Sequence, residues 1–304
     1  MSKIIALNQK LQITFPNSIS VTIKREDLIH PVVSGNKFRK LKYNLLQAKT
    51  ENKKTLLTFG GAFSNHIAAV AFAARENGFQ SIGIIRGDEL RDKIAQNATL
   101  QFAQECGMQF EFVSREAYRL KNESSFLEEL KLKFGDFYLI PEGGTNELAV
   151  KGCQEILTDE DREFDYICCA AGTGGTISGI INSALPHQKV LGFPALKGDF
   201  LQDEICIFVQ NKNWKLINDY HFGGYGKVNE ELIAFINDFY DTNQIPLDPV
   251  YTGKMVFGVI DMIQKNYFPA QSNILLIHTG GLQGIQGMNA KLKKKQLPTI
   301  AINV

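Results

Sequence analysis

Four stretches of the chain carry residue types that could do chemistry on an anionic ligand. The first is Ser34-Gly35-Asn36-Lys37-Phe38-Arg39-Lys40-Leu41. Phe38, Leu41, Leu45 and Ala48 recur at helical spacing, which puts Lys37 in the first turn of an amphipathic helix. A helix amino end disfavours added positive charge and should depress the pKa of a lysine there. A depressed pKa is what a Schiff-base lysine needs. The competing interpretation is a surface lysine at a helix start, the ordinary place for that residue type.

The second stretch is Gly60-Gly61-Ala62-Phe63-Ser64-Asn65-His66. Its glycines permit close backbone approach, and Ser64 and Asn65 set a hydroxyl and an amide beside a helix amino end that favours anions. Simple N-capping by Ser64 or Asn65 would use the same residues. The third is Gly172-Thr173-Gly174-Gly175-Thr176 between an apolar run and a helical pattern. Its amides, two hydroxyls and helix dipole could cradle a phosphate. It matches neither the P-loop nor the G-x-G-x-x-G spacing, so a nucleotide-binding module is an outside alternative. The last group comprises Tyr225 in Gly223-Gly224-Tyr225-Gly226, Tyr251 in Asp248-Pro249-Val250-Tyr251-Thr252-Gly253-Lys254, and His278-Thr279-Gly280-Gly281. His278 follows an apolar run and reads as a core histidine rather than a catalytic one.

Short apolar runs bounded by turn residues predict buried strands over 55–59, 81–85, 109–113, 137–140, 166–170, 190–193 and 273–278. Helical patterns between them, such as 66–77, 97–106 and 177–184, predict an α/β fold with parallel sheets and helices on their faces. Glycine-rich turns follow the strands at Gly60, Gly143, Gly172 and Gly280. Ligands of open α/β sheets bind beyond the carboxyl ends of strands, so these turns should converge on one site.

With 304 residues, the chain can form a large globular enzyme of two lobes sharing a cleft. Net charge is +1, from 33 basic and 32 acidic residues, giving no general attraction to nucleic acid or to an anionic membrane. A small anionic ligand must therefore be held by local design. The run Lys293-Lys294-Lys295 reads as solvated surface. Five cysteines, an odd number with no C-x-x-C pair, argue against a disulfide framework and for a reducing cytoplasm. Residues 1–11 lack the apolar core of a signal peptide, and no apolar run approaches membrane-spanning length. No HExxH or clustered Cys/His pattern suggests a metal.

Taken in order, Lys24-Arg25-Glu26-Asp27 and the stretches at 34–41, 60–66 and 278–281 resemble fold-type II pyridoxal 5′-phosphate (PLP) enzymes. The resemblance is specifically to the 1-aminocyclopropane-1-carboxylate (ACC) deaminase/D-cysteine desulfhydrase family and covers nearly the whole chain. It implies a tryptophan synthase β-like α/β fold of two domains with twisted, mainly parallel sheets flanked by helices. Residues 1–39 and 149–304 would form the large PLP-binding domain and residues 40–148 the smaller one. It also implies a homodimer acting on a small amino acid. Lys37 would carry PLP as a Schiff base. Ser64 would assist proton transfer or hold the substrate carboxylate, and Asn65 would hydrogen-bond the cofactor's phenolic oxygen. Gly172, Thr173, Gly174, Gly175 and Thr176 would form the phosphate loop, with Lys40 adding charge. Tyr225 and Tyr251 would be the active-site tyrosines, Tyr251 facing the ring.

The departure from the ACC deaminases lies at two positions. Those enzymes carry Glu after the tyrosine matching Tyr251 and Leu at the position of Thr279. This chain has Thr252 and Thr279, the pattern that looks like D-cysteine desulfhydrase. A carboxylate keeps the pyridine nitrogen protonated and maximises electron withdrawal when a strained ring must open. A neutral hydroxyl leaves a weaker electron sink, which suffices when thiolate departs from Cβ. The preferred reading is therefore PLP-dependent α,β-elimination, with D-cysteine giving pyruvate, ammonia and sulfide. The alternatives are ACC deamination to 2-oxobutanoate and ammonia, another PLP amino-acid lyase, and a non-catalytic PLP-binding protein.

Overall fold

The computed structural model of the protein describes residues 5–33 and 35–302; Ser34, which opens the lysine stretch, lies outside them. Ten strands are found among the described residues: β1 Asn8–Lys10, β2 Ser20–Lys24, β3 Thr55–Gly61, β4 Gln80–Arg86, β5 Met108–Val113, β6 Tyr138–Ile140, β7 Tyr166–Ala171, β8 Lys189–Pro194, β9 Trp214–Leu216 and β10 Asn273–Ile277. They form a six-stranded sheet in the order β1-β2-β10-β7-β8-β9 and a four-stranded sheet in the order β5-β4-β3-β6. Every pairing is parallel except that of β1 with β2. The mainly parallel α/β architecture expected from strand–helix alternation is what the chain adopts.

Parallel strands must bury both faces, and side-chain alternation shows how β7 does so. Cys168 and Ala170 enter one apolar cluster with Leu232, Ile236 and Val259, while Ile167, Cys169 and Ala171 enter another with Ile177, Ile180 and Leu201. β3 divides similarly, with Leu56 on one side and Leu57 and Phe59 on the other. All five cysteines are free thiols, and only Cys206 is exposed.

The seven strands anticipated from apolar runs are all present, whereas β1, β2 and β9 were not anticipated. β1 and β9 have three residues each, too few to show a period. β2 carries Thr22 and Lys24 inside the sheet, which breaks the apolar pattern. Lys24 is wholly buried because Asp161 meets its ammonium at 2.7 and 3.0 Å. A second buried pair links Arg39 to Glu26 as a fork at 2.8 and 2.9 Å. Arg39 lies in the helix Asn36–Thr50, and Glu26 follows β2, so this fork fixes the helix against the larger sheet.

Removing one partner of such a pair strands the other charge in the interior. Asp161→Ala should lower the unfolding free energy by about 3–5 kcal/mol, measured by urea titration. A loss within the scatter of surface substitutions would show that Lys24 finds another partner.

Candidate active site

The carboxyl ends of both sheets open onto one cleft, which encloses about 820 Å³ of empty space, part of it continuous with solvent. From the larger sheet come the turn after β7, with Gly172, Thr173, Gly174 and Thr176, and the turn after β10, with Thr279, Gly280 and Gly281. From the smaller sheet come Ser64, Asn65 and His66 after β3 and Gly143 after β6. Lys37, Lys40, Tyr225 and Tyr251 complete the wall.

Lys37 occupies the first turn of the helix Asn36–Thr50, as its apolar spacing predicted. The entry to this helix is unusually tight. Gly35 has φ 60° and presses against the Thr279 carbonyl so closely that a Cβ would collide with it. Asn36 then donates its backbone N–H to that carbonyl at 3.3 Å and its side-chain amide to Thr176 Oγ1 at 2.8 Å. Lys37 Nζ reaches Asn36 Oδ1 at 3.1 Å. The amine is half-buried at the cleft wall, with protein around its head group. Burial foremost, then the neighbouring charge of Lys40, lowers its pKa to about 7. The helix amino end proposed from sequence is thus not the chief cause.

Lys40, one turn further on, is buried, and its ammonium donates to the Gly143 carbonyl and to Thr145 Oγ1, both at 3.0 Å. Burial lowers its pKa as well. Thr145 Oγ1 lies 2.6 Å from Thr173 Oγ1. Gly175 begins the helix Gly175–Ser183, and a Cβ there would sit 3.3 Å from Lys40 Nζ. Gly174 enters that helix with φ 84°. The Lys40 ammonium, the Thr145 and Thr173 hydroxyls and the start of this helix therefore lie together.

No carboxylate is present among the described residues lining the cleft, whereas two lysines are. A buried ammonium served only by a carbonyl and a hydroxyl calls for an anion to balance it. The residues fit a phosphate-bearing aldehyde cofactor, with a partly neutral amine at one end and the anion cradle at the other.

Ser64 caps the helix Asn65–Glu76, accepting from the His66 N–H at 3.3 Å, and also lines the cleft, so capping and site readings coincide. Asn65 Nδ2 approaches the Gly281 carbonyl at 3.4 Å. Tyr251 lies over Gly172, where a Cβ would come within 3.1 Å of its ring. Tyr225 stands beside it, ring centroids 6.2 Å apart, with half its surface exposed. Burial, then Tyr225 and Asp248, holds the Tyr251 hydroxyl well above the usual phenol range. Burial also raises the Tyr225 hydroxyl. Both are proton donors at neutral pH.

Two of the sequence-derived residues do not line the cleft. Gly175 lies behind the loop it helps to form. Thr252 is fully buried, and its hydroxyl donates to Asp248 Oδ2 at 2.8 Å while accepting from the Asp248 N–H at 2.9 Å. Thr279 does line the cleft. His278 is wholly buried, with Nε2 2.6 Å from the Pro246 carbonyl and Nδ1 accepting from the Gly280 N–H at 3.2 Å. It is a core residue, as its setting suggested.

Sequence reasoning gave no role to Asn36, Thr145 or Asp248. Asn36 had one legible signal, its place beside Lys37. Asp248 accepts from the N–H groups of Val250, Tyr251 and Thr252, all at 2.8 Å, and so braces the turn that leads into the helix Thr252–Gln264. His66 also lines the cleft, and its Nδ1 has no hydrogen-bond partner. Thr58 donates to the Ile140 carbonyl and so must accept from Nε2–H, which leaves Nδ1 as a lone pair; burial keeps the ring neutral. No group of three or more His, Cys, Asp or Glu residues suited to a metal is found among the described residues.

An amine with a pKa near 7 reacts at neutral pH where ordinary lysines do not. Acetic anhydride in trace amounts should acetylate Lys37 of the cofactor-free protein preferentially, its rate rising with pH through about 7 and then levelling. Because Lys40 repels the protonated form, Lys40→Met should shift that midpoint upward. A Lys37 midpoint in the ordinary lysine range would contradict the environment described.

Known proteins are similar to this chain in both sequence and fold. The family model described as pyridoxal-phosphate dependent enzyme matches residues 9–280. A Thermotoga maritima protein provisionally named as a 1-aminocyclopropane-1-carboxylate deaminase is 32% identical over 295 residues, covering 90% of this chain and 92% of its own. A mitochondrial protein of Arabidopsis thaliana, named bifunctional D-cysteine desulfhydrase/1-aminocyclopropane-1-carboxylate deaminase, is 30% identical over 297 residues, covering 89% and 74%. The crystal structure of an ACC deaminase homologue superposes with a TM-score of 0.80 at 29% identity, covering 97% of this chain and 95% of that one. With a matching family model over most of its length and relatives 30% or more identical along most of the chain, the chain belongs to the pyridoxal-phosphate dependent enzyme family.

Proposed function

We propose that this enzyme catalyses the α,β-elimination of a small β-substituted amino acid, with D-cysteine and water giving pyruvate, ammonia and hydrogen sulfide. The observation that carries this reading is the absence of a carboxylate among the described cleft-lining residues, with Thr279 at the wall. Bound at Lys37, pyridoxal phosphate supplies an electron sink for the charge that develops at the substrate α-carbon. Lys40, Gly172, Thr173, Gly174 and Thr176 would hold its phosphate, with Gly175 shaping the loop behind them, and Asn65 would hold its phenolic oxygen.

Released when the substrate amine takes its place on the cofactor, Lys37 would be the base for the α-proton; burial and the neighbouring Lys40, which lower its pKa, favour the neutral amine that this needs. Ser64, at the start of a helix, hydrogen-bonds the substrate carboxylate, in a cleft lined by no carboxylate among the described residues. Tyr251 and Tyr225 are held protonated and give a proton to the departing sulfur. The hydroxyl of Thr252 reinforces Asp248 and sets the turn from which Tyr251 projects.

ACC deamination is the second reading, favoured by the names of the relatives; the Arabidopsis protein bears both activities in its name. We also read residues 1–39 and 149–304 as a large domain and 40–148 as a smaller one. This is supported by the four-stranded sheet lying within 55–140 while the other sheet draws on both ends of the chain. The free thiols fit a reducing cytoplasm. The homodimer is carried over from the family resemblance.

Purified protein should take up pyridoxal phosphate with a visible absorption band, and Lys37→Ala should lose both the band and turnover. Ammonia release from D-cysteine, L-cysteine and ACC in one assay then separates the readings, with D-cysteine expected to be fastest. ACC as the faster substrate would favour the second reading, and a band without turnover of any of the three would favour a binding role.

A further inference from the structure

One helix carries both tyrosines of the cleft, one directly and one at a distance. Tyr251 is the N-cap of Thr252–Gln264, and Lys254 lies three residues later on the same helix. Lys254 is 2% exposed. Its ammonium donates to the His221 carbonyl and to the Gly224 carbonyl, both at 2.8 Å. Neither partner is a carboxylate, and the nearest acidic influence is Asp248. Burying an ammonium is costly, and neutral carbonyls offset that cost only in part.

Those two carbonyls belong to the loop that presents Tyr225. Phe222, Gly223, Gly224 and Gly226 all have positive φ, so neither helix nor strand hydrogen bonds hold this loop. Its other ties are few. Phe222 packs edge-on to Phe257 of the same helix at 5.0 Å, and Lys291 donates to the Gly226 carbonyl at 3.1 Å. The Tyr225 ring is half exposed and leans on Tyr251. Its hydroxyl also hydrogen-bonds that of Tyr251, so its place over the cleft is set by this bond together with the backbone beneath it.

We propose that Lys254 is a positioning residue for the elimination: its buried ammonium, clasped by the His221 and Gly224 carbonyls, holds the Tyr225 loop in register with Tyr251. The kinetic part rests on the function proposed above; the structural part does not.

The test compares wild type, Lys254→Met, Lys254→Arg, Tyr225→Phe and the Lys254→Met/Tyr225→Phe double variant. In hydrogen exchange on cofactor-free protein, Lys254→Met should expose the amides of Gly224 and Lys227, which now bond within the loop, while the amides of 256–262 stay protected. In the elimination assay, Lys254→Met should cut kcat by about 10- to 100-fold with KM little changed, the scale of a displaced catalytic group. The double variant should be no slower than the slower single one, and Lys254→Arg should recover part of the rate. Unchanged loop exchange would overturn the structural assignment whatever the activity proves to be. Altered exchange with effects that multiply in the double variant would overturn the coupling to Tyr225. Altered exchange in an enzyme inactive on every substrate would instead fault the proposed reaction. Should Lys254→Met not fold, Lys254→Gln, which keeps an amide donor without the charge, is read by the same criteria.

Discussion

The site depends on where the helix Asn36–Thr50 begins, and the fork between Arg39 and Glu26 determines that. Both groups are almost wholly buried, and the paired geometry at 2.8 and 2.9 Å leaves little freedom for the helix to slide or rotate. Glu26 also accepts the Gly35 N–H through its backbone carbonyl at 2.9 Å, so the same residue grips the helix and its entry. Gly35 completes the constraint, because only a residue without Cβ fits against Thr279 at that φ. From this single anchorage follow the places of Lys37 at the cleft wall and Lys40 at the glycine loop. The pair need not contribute net stability to serve this purpose, since its value lies in geometry.

Charge is distributed in the cleft with the same economy. The chain is nearly neutral, yet its cleft holds two lysines and no carboxylate among the described lining residues. The acidic groups nearby are turned to other work. Asp248 is spent on three backbone N–H groups and the Thr252 hydroxyl, and Glu26 on Arg39. The two lysines therefore have no carboxylate beside them among the described residues of the lining. The two lysines also act on each other. Their mutual repulsion adds to burial in lowering the pKa of Lys37, which brings one amine into the range for proton transfer at neutral pH.

Thr252 changes meaning once it is seen in place. Read along the chain, it invited a direct role beside a cofactor nitrogen. Its hydroxyl is instead locked to Asp248, and the contrast with a glutamate at that position becomes a contrast in what the helix start can support. Thr279 alone of the two threonines faces the cleft. The preference for elimination over ring opening thus rests on the missing carboxylate more than on either hydroxyl.

Much of this was legible without coordinates. Apolar runs located seven strands because parallel strands buried on both faces must be short and apolar. Helical spacing placed Lys37 in a first turn, and the glycine turns located the cradle, since both are local properties of backbone and side chain. β2 was not legible, because a lysine inside a sheet is tolerated only through Asp161, 137 residues away. The cause of the lowered Lys37 pKa, the commitment of Thr252 and the hold of Lys254 on the Tyr225 loop were not legible either. Each depends on what surrounds a polar group once it is buried, and that is decided by residues remote in the chain. The sequence by itself determined the elements, the glycines and the chemical groups available; the tertiary structure alone decided which of those groups lost water, which found partners, and which were left free to act.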